Sequence, residues 1–158
     1  LRKYLEDVDN YRSENIRIRF LGDLTVFDAK MQAKMAEIEK TSRDNTGLTL
    51  NLAVNYGGRS ELTSAARQLA LDAAAGKIRP EEITEQMLAD RLYTKGEPDV
   101  DLIIRPSGEY RLSNFLIWQS AYAEYVFMDE ILWPDFKPAD LDRALEEYQC
   151  RNRRFGGV

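Results

Sequence analysis

Short apolar segments alternate with longer amphipathic segments along this chain, and this alternation restricts the fold more than any other feature. Four short segments have the apolar pattern of strands, namely 16–20, 48–54, 100–104 and 124–128. Helical spacing of apolar residues is found at the start of the chain, from Pro80 onward, and over 28–43, 59–75, 113–119 and 138–153. Strands separated by helices pair in parallel through right-handed crossovers. The sequence therefore predicts an α/β fold with a mostly parallel central sheet flanked by helices.

The same periodicity predicts which side chains face the core. The strand 48–54 is apolar enough to be buried on both faces. In the helix 59–75 we expect Leu62, Ala66 and Leu69 to point inward. In the last helix the expected inward residues are Leu141, Ala144, Leu145 and Tyr148.

The length of 158 residues is that of one domain. We find no internal repeat and no linker rich in Pro, Gly or Ser, so a single α/β domain over residues 1–158 is expected. No run of 18 apolar residues is present, which argues against a membrane-spanning helix.

Histidine is absent from these 158 residues, and Cys150 is the single cysteine. A histidine base, a histidine-ligated metal, an internal disulfide and a cysteine zinc site are therefore excluded within the chain. One cysteine fits a reducing compartment, and we expect a cytoplasmic protein. Any chemistry in this chain is therefore limited to carboxylates, arginines, hydroxyls and backbone amides, with or without a hard metal ion.

The net charge is −5, from 22 basic and 27 acidic side chains. Proteins that bind nucleic acids without regard to sequence are normally basic, so no nucleic-acid partner is expected. A small basic pocket for an anion remains compatible with this charge.

Two arginines follow the apolar strand that ends near Ile104. Pro106 keeps Arg105 extended at the strand tip, and Arg111 comes six residues later. Ser113 stands where the N-cap of the helix 113–119 is expected. Two guanidinium groups, a hydroxyl and the amides of a helix N-terminus could bind a diphosphate. The alternative is a capped helix with two surface arginines, one of them paired to Glu109.

Three further parts of the sequence are open to either a functional or a purely structural interpretation. Glu124, among aromatic residues and alanines, is expected to be partly buried and to need either an arginine partner or a magnesium ion. The segment 55–59 (NYGGR) could approach a ligand closely or form only a tight turn between a strand and a helix. The arginines of 151–154 could serve only the C-terminus of the last helix.

Several motifs together resemble the cis-prenyltransferases, the undecaprenyl diphosphate synthase family. The principal one is DLIIRPSGEYRLSNFLIWQ at 101–119, followed by AYAE at 121–124 and WPDF at 133–136. Further matches are RFLGD at 19–23, NTGLTLN at 45–51, NYGGR at 55–59 and RRFGG at 153–157. They occur in family order and run nearly from end to end of the chain.

The resemblance implies a magnesium-dependent enzyme that condenses isopentenyl diphosphate with an allylic diphosphate, such as farnesyl diphosphate, to give a cis-polyprenyl diphosphate. It also implies a homodimer, with at most peripheral membrane contact through the lipid product. By position, Glu124 resembles the magnesium ligand. The residues that resemble substrate-binding positions are Arg105, Arg111, Leu112, Ser113, Arg154 and Gly156.

The sequence departs from the family pattern in two ways. Tyr110 stands where many members have histidine, and no Asp-Gly-Asn-Gly-Arg motif or following Asn-Trp loop is present. The chain matches about the later two-thirds of a family member, and no catalytic residue is identified in it. We therefore expect the isolated chain to be a poor or inactive catalyst. The alternative function is a non-catalytic subunit or scaffold that retains the isopentenyl diphosphate half-site.

Overall fold

A computed structural model of the chain describes residues 14–151. The strands are β1 (Arg17–Leu21), β2 (Thr49–Ala53), β3 (Leu102–Pro106) and β4 (Glu124–Met128). The α-helices are α1 (Ala29–Ser42), α2 (Gly58–Ala74), α3 (Glu85–Ala89) and α4 (Pro138–Gln149). Short 3-10 helices cover Leu24–Val26, Pro80–Glu82 and Trp133–Asp135. The helix expected at the start of the chain lies outside the described residues.

All strand pairs among residues 14–151 are parallel, which confirms the α/β class. Strand β1 pairs with β2, and β3 pairs with β4, so the described strands form two sheets of two strands each. The chain divides into two compact units, Leu1–Lys95 and Gly96–Val158. This division does not test whether residues 1–158 fold as one domain, which stays a prediction.

The core of the first unit lies between the first sheet and α1. Asp28 caps α1, because its carboxylate accepts a hydrogen bond from the Met31 amide at 2.8 Å. One turn further along, Met35 and Ile38 are buried against Ile18 and Phe20 of β1. Burying a side chain of this size stabilises the fold by roughly 1.5–3 kcal/mol.

Two polar side chains of α1 bind the outer edge of β1. The Oγ of Ser42 accepts a hydrogen bond from the Ile18 amide at 3.0 Å and donates one to the Ile38 carbonyl at 2.9 Å. An oxygen of Glu39 accepts from the Phe20 amide at 2.7 Å. Side chains of the helix thus satisfy backbone donors that a neighbouring strand would otherwise satisfy.

The ends of β1 and β2 are held together closely. Gly22 has a φ of 133°, and a Cβ atom there would lie 2.1 Å from the Val54 carbonyl oxygen. Only glycine fits this position without a shift of the backbone. Next to it, Asn55 donates a side-chain hydrogen bond to the Asp23 carbonyl at 2.9 Å. These contacts fix the carboxyl ends of both strands.

Two predictions about buried faces in the first unit are wrong. Strand β2 has one covered face, because Leu50 and Leu52 pack on the core while Asn51 and Ala53 are exposed. In α2, Leu69 is buried as expected, but Leu62 is only partly buried and Ala66 is exposed. The buried row consists of Gly58, Glu61, Ala65 and Leu69. A charged residue occupies this row because its carboxylate is fully used in hydrogen bonds, described below.

The helix expected from Pro80 is also divided. Pro80–Glu82 form one 3-10 turn, and α3 starts again after Thr84, whose hydroxyl accepts from the Met87 amide at 3.2 Å. Thr84 has an extended backbone, with φ −117° and ψ 164°, which interrupts the helix. Local capping therefore outweighs the continuous helical pattern.

In the second unit, α4 packs on one face of the sheet formed by β3 and β4. Val126, Met128 and Ala144 are buried together, with Leu102 and Ile104 beside them. Of the four residues expected to face inward from α4, only Ala144 is buried, Tyr148 is partly buried, and Leu141 and Leu145 are exposed. The described residues of this unit cover only a narrow stripe of the helix.

The helix expected at 113–119 is absent from the described structure. Ser113, Asn114 and Leu116 have φ values of 52°, 63° and 45°, which a right-handed helix does not admit. The segment forms consecutive turns, and the Gln119 carbonyl accepts from the Val100 amide at 2.9 Å. None of the helices within residues 14–151 combines the length and the apolar character needed to cross a membrane.

Candidate functional site: an arginine pair after β3

Arg105 is the fourth residue of β3 and lies beside Phe127 in the register with β4. It is therefore inside the strand and not beyond its tip. Its side chain is partly buried, and its Nε donates to the Glu109 carbonyl oxygen at 3.3 Å. Because the strand holds its backbone, the guanidinium group starts from a fixed position.

A tight turn carries the chain from β3 to Glu109. Ser107 and Gly108 both have left-handed backbones, with φ values of 66° and 62°. The Ser107 amide donates to the carbonyl oxygens of Met128 and Ile131, at 3.0 and 2.8 Å. This turn is thus anchored to the end of β4, and it returns Glu109 to Arg105.

Arg111 is the second arginine of the pair, and it forms an ion pair with the Glu109 carboxylate. Its side chain is 68% exposed. Glu109 therefore joins the two arginines, because its backbone binds Arg105 and its carboxylate binds Arg111. The structure brings the two predicted residues together, in the paired form that the alternative interpretation described. An anionic ligand has to replace Glu109 as the partner of Arg111.

Leu112 and Ser113 follow directly, and no helix N-terminus is present at this point. The Leu112 carbonyl accepts from the Phe115 amide at 3.0 Å, which closes a turn. The Ser113 side chain is exposed next to the arginine pair in sequence. The predicted contribution of helix amides to anion binding is wrong, whereas a contribution of the Ser113 hydroxyl stays a prediction.

Tyr110, at the position where the family often has histidine, is bound to Asp129. Its hydroxyl donates to an Asp129 carboxylate oxygen, and its ring packs on Phe127 with centroids 4.8 Å apart. This hydrogen bond raises the pKa of the Tyr110 phenol above its ordinary value. The phenol is therefore protonated at neutral pH and acts as a donor, which is not the form that binds a metal ion.

Glu124 lies at the start of β4 and is partly buried, as expected. Its Oε2 accepts a hydrogen bond from Nη1 of Arg151 at 3.0 Å, and the side chains are 26% and 32% exposed. Arg151 also pairs with Glu147, and both hydrogen bonds raise the pKa of its guanidinium group, that to Glu124 most. Of the two partners expected for Glu124, an arginine or a magnesium ion, the described residues therefore show the arginine.

The strand register separates Glu124 from Arg105. Glu124 lies beside Leu102, whereas Arg105 lies beside Phe127, three positions or roughly 10 Å further along. Side chains alternate between the faces of a sheet, so an odd separation puts these two on opposite faces. Within one copy of the chain, the structure does not bring the predicted magnesium ligand to the arginine pair.

The Glu124 carboxylate could supply one ligand to a magnesium ion, but it could not hold the ion by itself. No group of three or more acidic or cysteine side chains that could hold a metal ion lies together within residues 14–151. Magnesium commonly takes one or two carboxylates together with substrate phosphates and water. Arg151 occupies Oε2, so Oε1 is the oxygen that could contribute to such a shell.

The segment 55–59 forms a turn from β2 to α2. Gly57 is the N-cap of α2, and Gly58 is buried in the first turn of the helix, so both glycines belong to the start of this helix. Arg154 and Gly156 lie outside the described residues, as does most of the basic C-terminal segment. Their expected contacts stay predictions.

Sequence reasoning missed the partners of the residues that it selected. Asp129 follows β4 directly, where it meets the loop that follows β3, and this adjacency could have been read from the parallel pairing. Buried Glu61 could have been found from the spacing 58, 61, 65 and 69, which is helical and begins at a glycine.

Comparison with protein families gives a match over residues 1–156 to the model described as putative undecaprenyl diphosphate synthase. An isoprenyl transferase of Clostridium perfringens is 49% identical over 153 residues, which are 96% of this chain and 60% of that protein. A ditrans,polycis-undecaprenyl-diphosphate synthase of Pasteurella multocida, specific for (2E,6E)-farnesyl diphosphate, is 48% identical and covered to 63%. The chain thus spans about three-fifths of the length of these relatives.

Solved structures give the same family. Lavandulyl diphosphate synthase from Lavandula x intermedia, in complex with dimethylallyl diphosphate, matches 99% of this chain with a TM-score of 0.91 and 36% identity; 69% of that chain is covered. A probable undecaprenyl diphosphate synthase from Campylobacter jejuni matches 98% of this chain, with a TM-score of 0.83 and 33% identity, and is covered to 70%. With matches of this extent in sequence and in structure, the chain belongs to the undecaprenyl diphosphate synthase family of cis-prenyltransferases.

Proposed function

We propose that this chain serves cis-prenyl chain elongation, in which isopentenyl diphosphate condenses with an allylic diphosphate such as farnesyl diphosphate. The observation that carries the proposal is the Arg105–Arg111 pair, which converges on Glu109 directly after β3. Guanidinium groups bind diphosphates through paired, charge-assisted hydrogen bonds. The relatives named as isoprenyl transferases support an enzyme over a non-catalytic subunit.

In this proposal the arginine pair holds the diphosphate of isopentenyl diphosphate. Arg105 starts from a position fixed by β3, while exposed Arg111 exchanges Glu109 for the ligand. The allylic diphosphate leaves, the isopentenyl double bond attacks the allylic C1, and a proton is lost. Negative charge builds on the departing diphosphate, so positioned cations lower the barrier.

A magnesium ion would add Lewis-acid stabilisation of the departing diphosphate. We propose Glu124 as its ligand, through Oε1, with phosphate oxygens and water in the remaining positions. Leu112 and Ser113 would line the substrate next to Arg111, and Arg154 and Gly156 would complete its binding.

We also propose that the chain acts as a homodimer. Glu124 and Arg105 occupy opposite faces and different ends of one sheet, so a single diphosphate is not readily contacted by both from one copy. A second copy would provide the missing partner. The single cysteine supports a cytoplasmic location, with membrane contact limited to the lipid product.

The decisive experiment measures incorporation of radiolabelled isopentenyl diphosphate, with farnesyl diphosphate and magnesium present. It compares the 158-residue chain with a version extended at its N-terminus by the corresponding segment of the Clostridium perfringens relative. We expect little turnover from the first and product formation by the second, which is lost again in Arg105→Ala. Absence of product from a folded extended protein would contradict the proposal and favour the non-catalytic subunit.

A further inference from the structure

A second polar cavity lies in the first unit, apart from the residues assigned above. It has a volume of about 550 Å³, within the range of small-molecule sites. Its lining comes from one face of α2, from Asp23 after β1 and from Tyr93. The lining residues on α2 are Arg59, Ser60, Thr63, Ser64 and Arg67. Ligands of parallel α/β folds bind at the carboxyl ends of the strands, and this cavity adjoins that end of β1 and β2.

The cavity is rich in hydrogen-bond donors. Arg59 and Arg67 lie eight residues apart on α2, which is roughly 12 Å along the helix, and serine and threonine hydroxyls stand between them. No hydrogen bond or ion pair joins the Arg67 guanidinium to any other residue within 14–151. Two long, flexible cationic side chains at this spacing can converge on one small anion.

The one carboxylate in the lining is already occupied. Asp23 accepts hydrogen bonds from the Thr25 amide at 3.0 Å and from the Thr25 hydroxyl at 2.6 Å. These bonds hold the pKa of Asp23 below its ordinary value. Asp23 therefore stays ionised, and its one negative charge stands against the two positive charges of Arg59 and Arg67 in the lining.

Buried hydrogen bonds hold the wall formed by Tyr93 in place. Glu61 is 2% exposed, and its carboxylate accepts from the Tyr93 amide at 2.7 Å and from the Tyr56 hydroxyl at 2.5 Å. The Tyr93 carbonyl accepts from Arg19 at 2.8 Å. The segment around Tyr93 is therefore tied to α2 and β1, and the cavity is formed before any ligand arrives.

We infer that this cavity binds a phosphate or diphosphate group, as a site distinct from the Arg105–Arg111 pair. The cations supply bidentate donors and the hydroxyls supply the remaining hydrogen bonds that such oxyanions accept. The ligand is either inorganic pyrophosphate or the diphosphate head of a prenyl substrate, which share this chemistry. The inference is independent of the proposed function, because every residue that carries it lies in the first unit.

The test titrates inorganic pyrophosphate calorimetrically into the chain carrying Arg105→Ala and Arg111→Ala, so that the first site is silent. We expect one remaining site, which Arg67→Gln weakens about 10- to 100-fold, as loss of a charged contact does. Arg67→Lys should recover part of the loss. The matched control is Arg79→Gln, which makes the same charge change on an exposed arginine bound to Glu82 outside the cavity.

Absence of binding in the double variant, or affinity that is equal in Arg67→Gln and Arg79→Gln, overturns the inference. A parallel titration with isopentenyl diphosphate distinguishes the two ligand sources. Comparable affinity for both assigns the cavity to prenyl diphosphates, and binding of pyrophosphate alone assigns it to the inorganic anion. If Arg105→Ala and Arg111→Ala leave the affinity for isopentenyl diphosphate unchanged, the proposed function is contradicted. The inference about this cavity is then still decided by the Arg67 variants.

Discussion

Arg151 donates a hydrogen bond across 3.0 Å to the Glu124 carboxylate, the group proposed to bind magnesium. The guanidinium and a metal ion would therefore compete for one side chain. Both partners are partly exposed, so the pair contributes at most about 1 kcal/mol to folding. A metal ion held by a diphosphate could displace it at small cost.

We predict that Glu124→Gln keeps the fold but removes the magnesium dependence of isopentenyl diphosphate binding. Arg151→Gln should have the opposite effect and strengthen magnesium-dependent binding, since it frees Oε2. Calorimetric titrations with magnesium and with a chelator measure both. If the unaltered chain binds equally well under both conditions, the metal role of Glu124 is wrong.

Arg105→Ala or Arg111→Ala should weaken isopentenyl diphosphate binding by about 2–4 kcal/mol, because a charged phosphate contact is lost. Lysine at either position should restore only part of it, because a point charge replaces a planar fork. Arg143→Ala is the control, since Arg143 is an exposed arginine of the same unit that binds Glu130. Unchanged affinity in both alanine variants would remove the pair from the site.

The C-terminal segment is predicted to act across a subunit interface. Deleting residues 154–158 should leave folding and dimerisation nearly intact, yet lower the activity of the N-terminally extended enzyme by orders of magnitude. Mixing this deletion with Arg105→Ala subunits should restore some activity, because both lesions can fall in one of the two sites. Full activity of the deletion, or proven heterodimers without complementation, would indicate a solvated tail.

Ser42→Ala should destabilise the chain by about 1–3 kcal/mol. Ser42 is fully buried, and without its hydroxyl the Ile18 amide loses its acceptor at the edge of β1. The control is Thr41→Ala, whose exposed hydroxyl bonds only to carbonyls of its own helix and should change stability by less than about 0.5 kcal/mol. Urea unfolding of both variants measures the difference, and equal midpoints would contradict the assignment.

Tyr110 should make part of the stability of the second unit dependent on alkaline pH. The hydrogen bond to Asp129 raises the pKa of the Tyr110 phenol in the folded state, so its contribution is complete below about pH 10, the unfolded value. It is lost as the pH rises through the higher folded value. Tyr110→Phe should therefore lose less stability than the unaltered chain in this range, as unfolding titrations would show. Parallel pH profiles would contradict this.

The elements that the sequence predicts well are those with a clear apolar period. Strands β1, β2 and β4 and helices α1 and α2 follow apolar spacing within a few residues, and Asp28 caps α1 as its position indicates. The Arg105–Arg111 pair was also predictable, because a strand followed by a short loop returns both to one place. The cap of α1 and the arginine pair join residues that are close along the chain, whereas β1 and β2 pair across 32 residues and are marked by their apolar period.

Local capping explains the divided helix after Pro80, but several other features that the sequence predicts poorly depend on distant partners. The segment 113–119 has an apolar helical pattern, yet its turns end where Gln119 accepts from the Val100 amide. Glu61 lies in a buried row because Tyr93, 32 residues away, uses its carboxylate. Likewise, Arg151 reaches Glu124 from another element. Such partners are fixed by the fold and leave no periodic signal.

Ser42 and Glu39 of α1 accept hydrogen bonds from two amides of β1, so the exchange of these two amide protons can report movement of α1. The Ile18 and Phe20 amides are bound by Ser42 and Glu39, so they exchange with solvent deuterium only when α1 moves away from the strand. Their exchange rates measure the free energy of that opening, separately from global unfolding. Any strand that adds to this edge, from this chain or another, must first displace both side chains, and its rate of addition is then limited by the same opening.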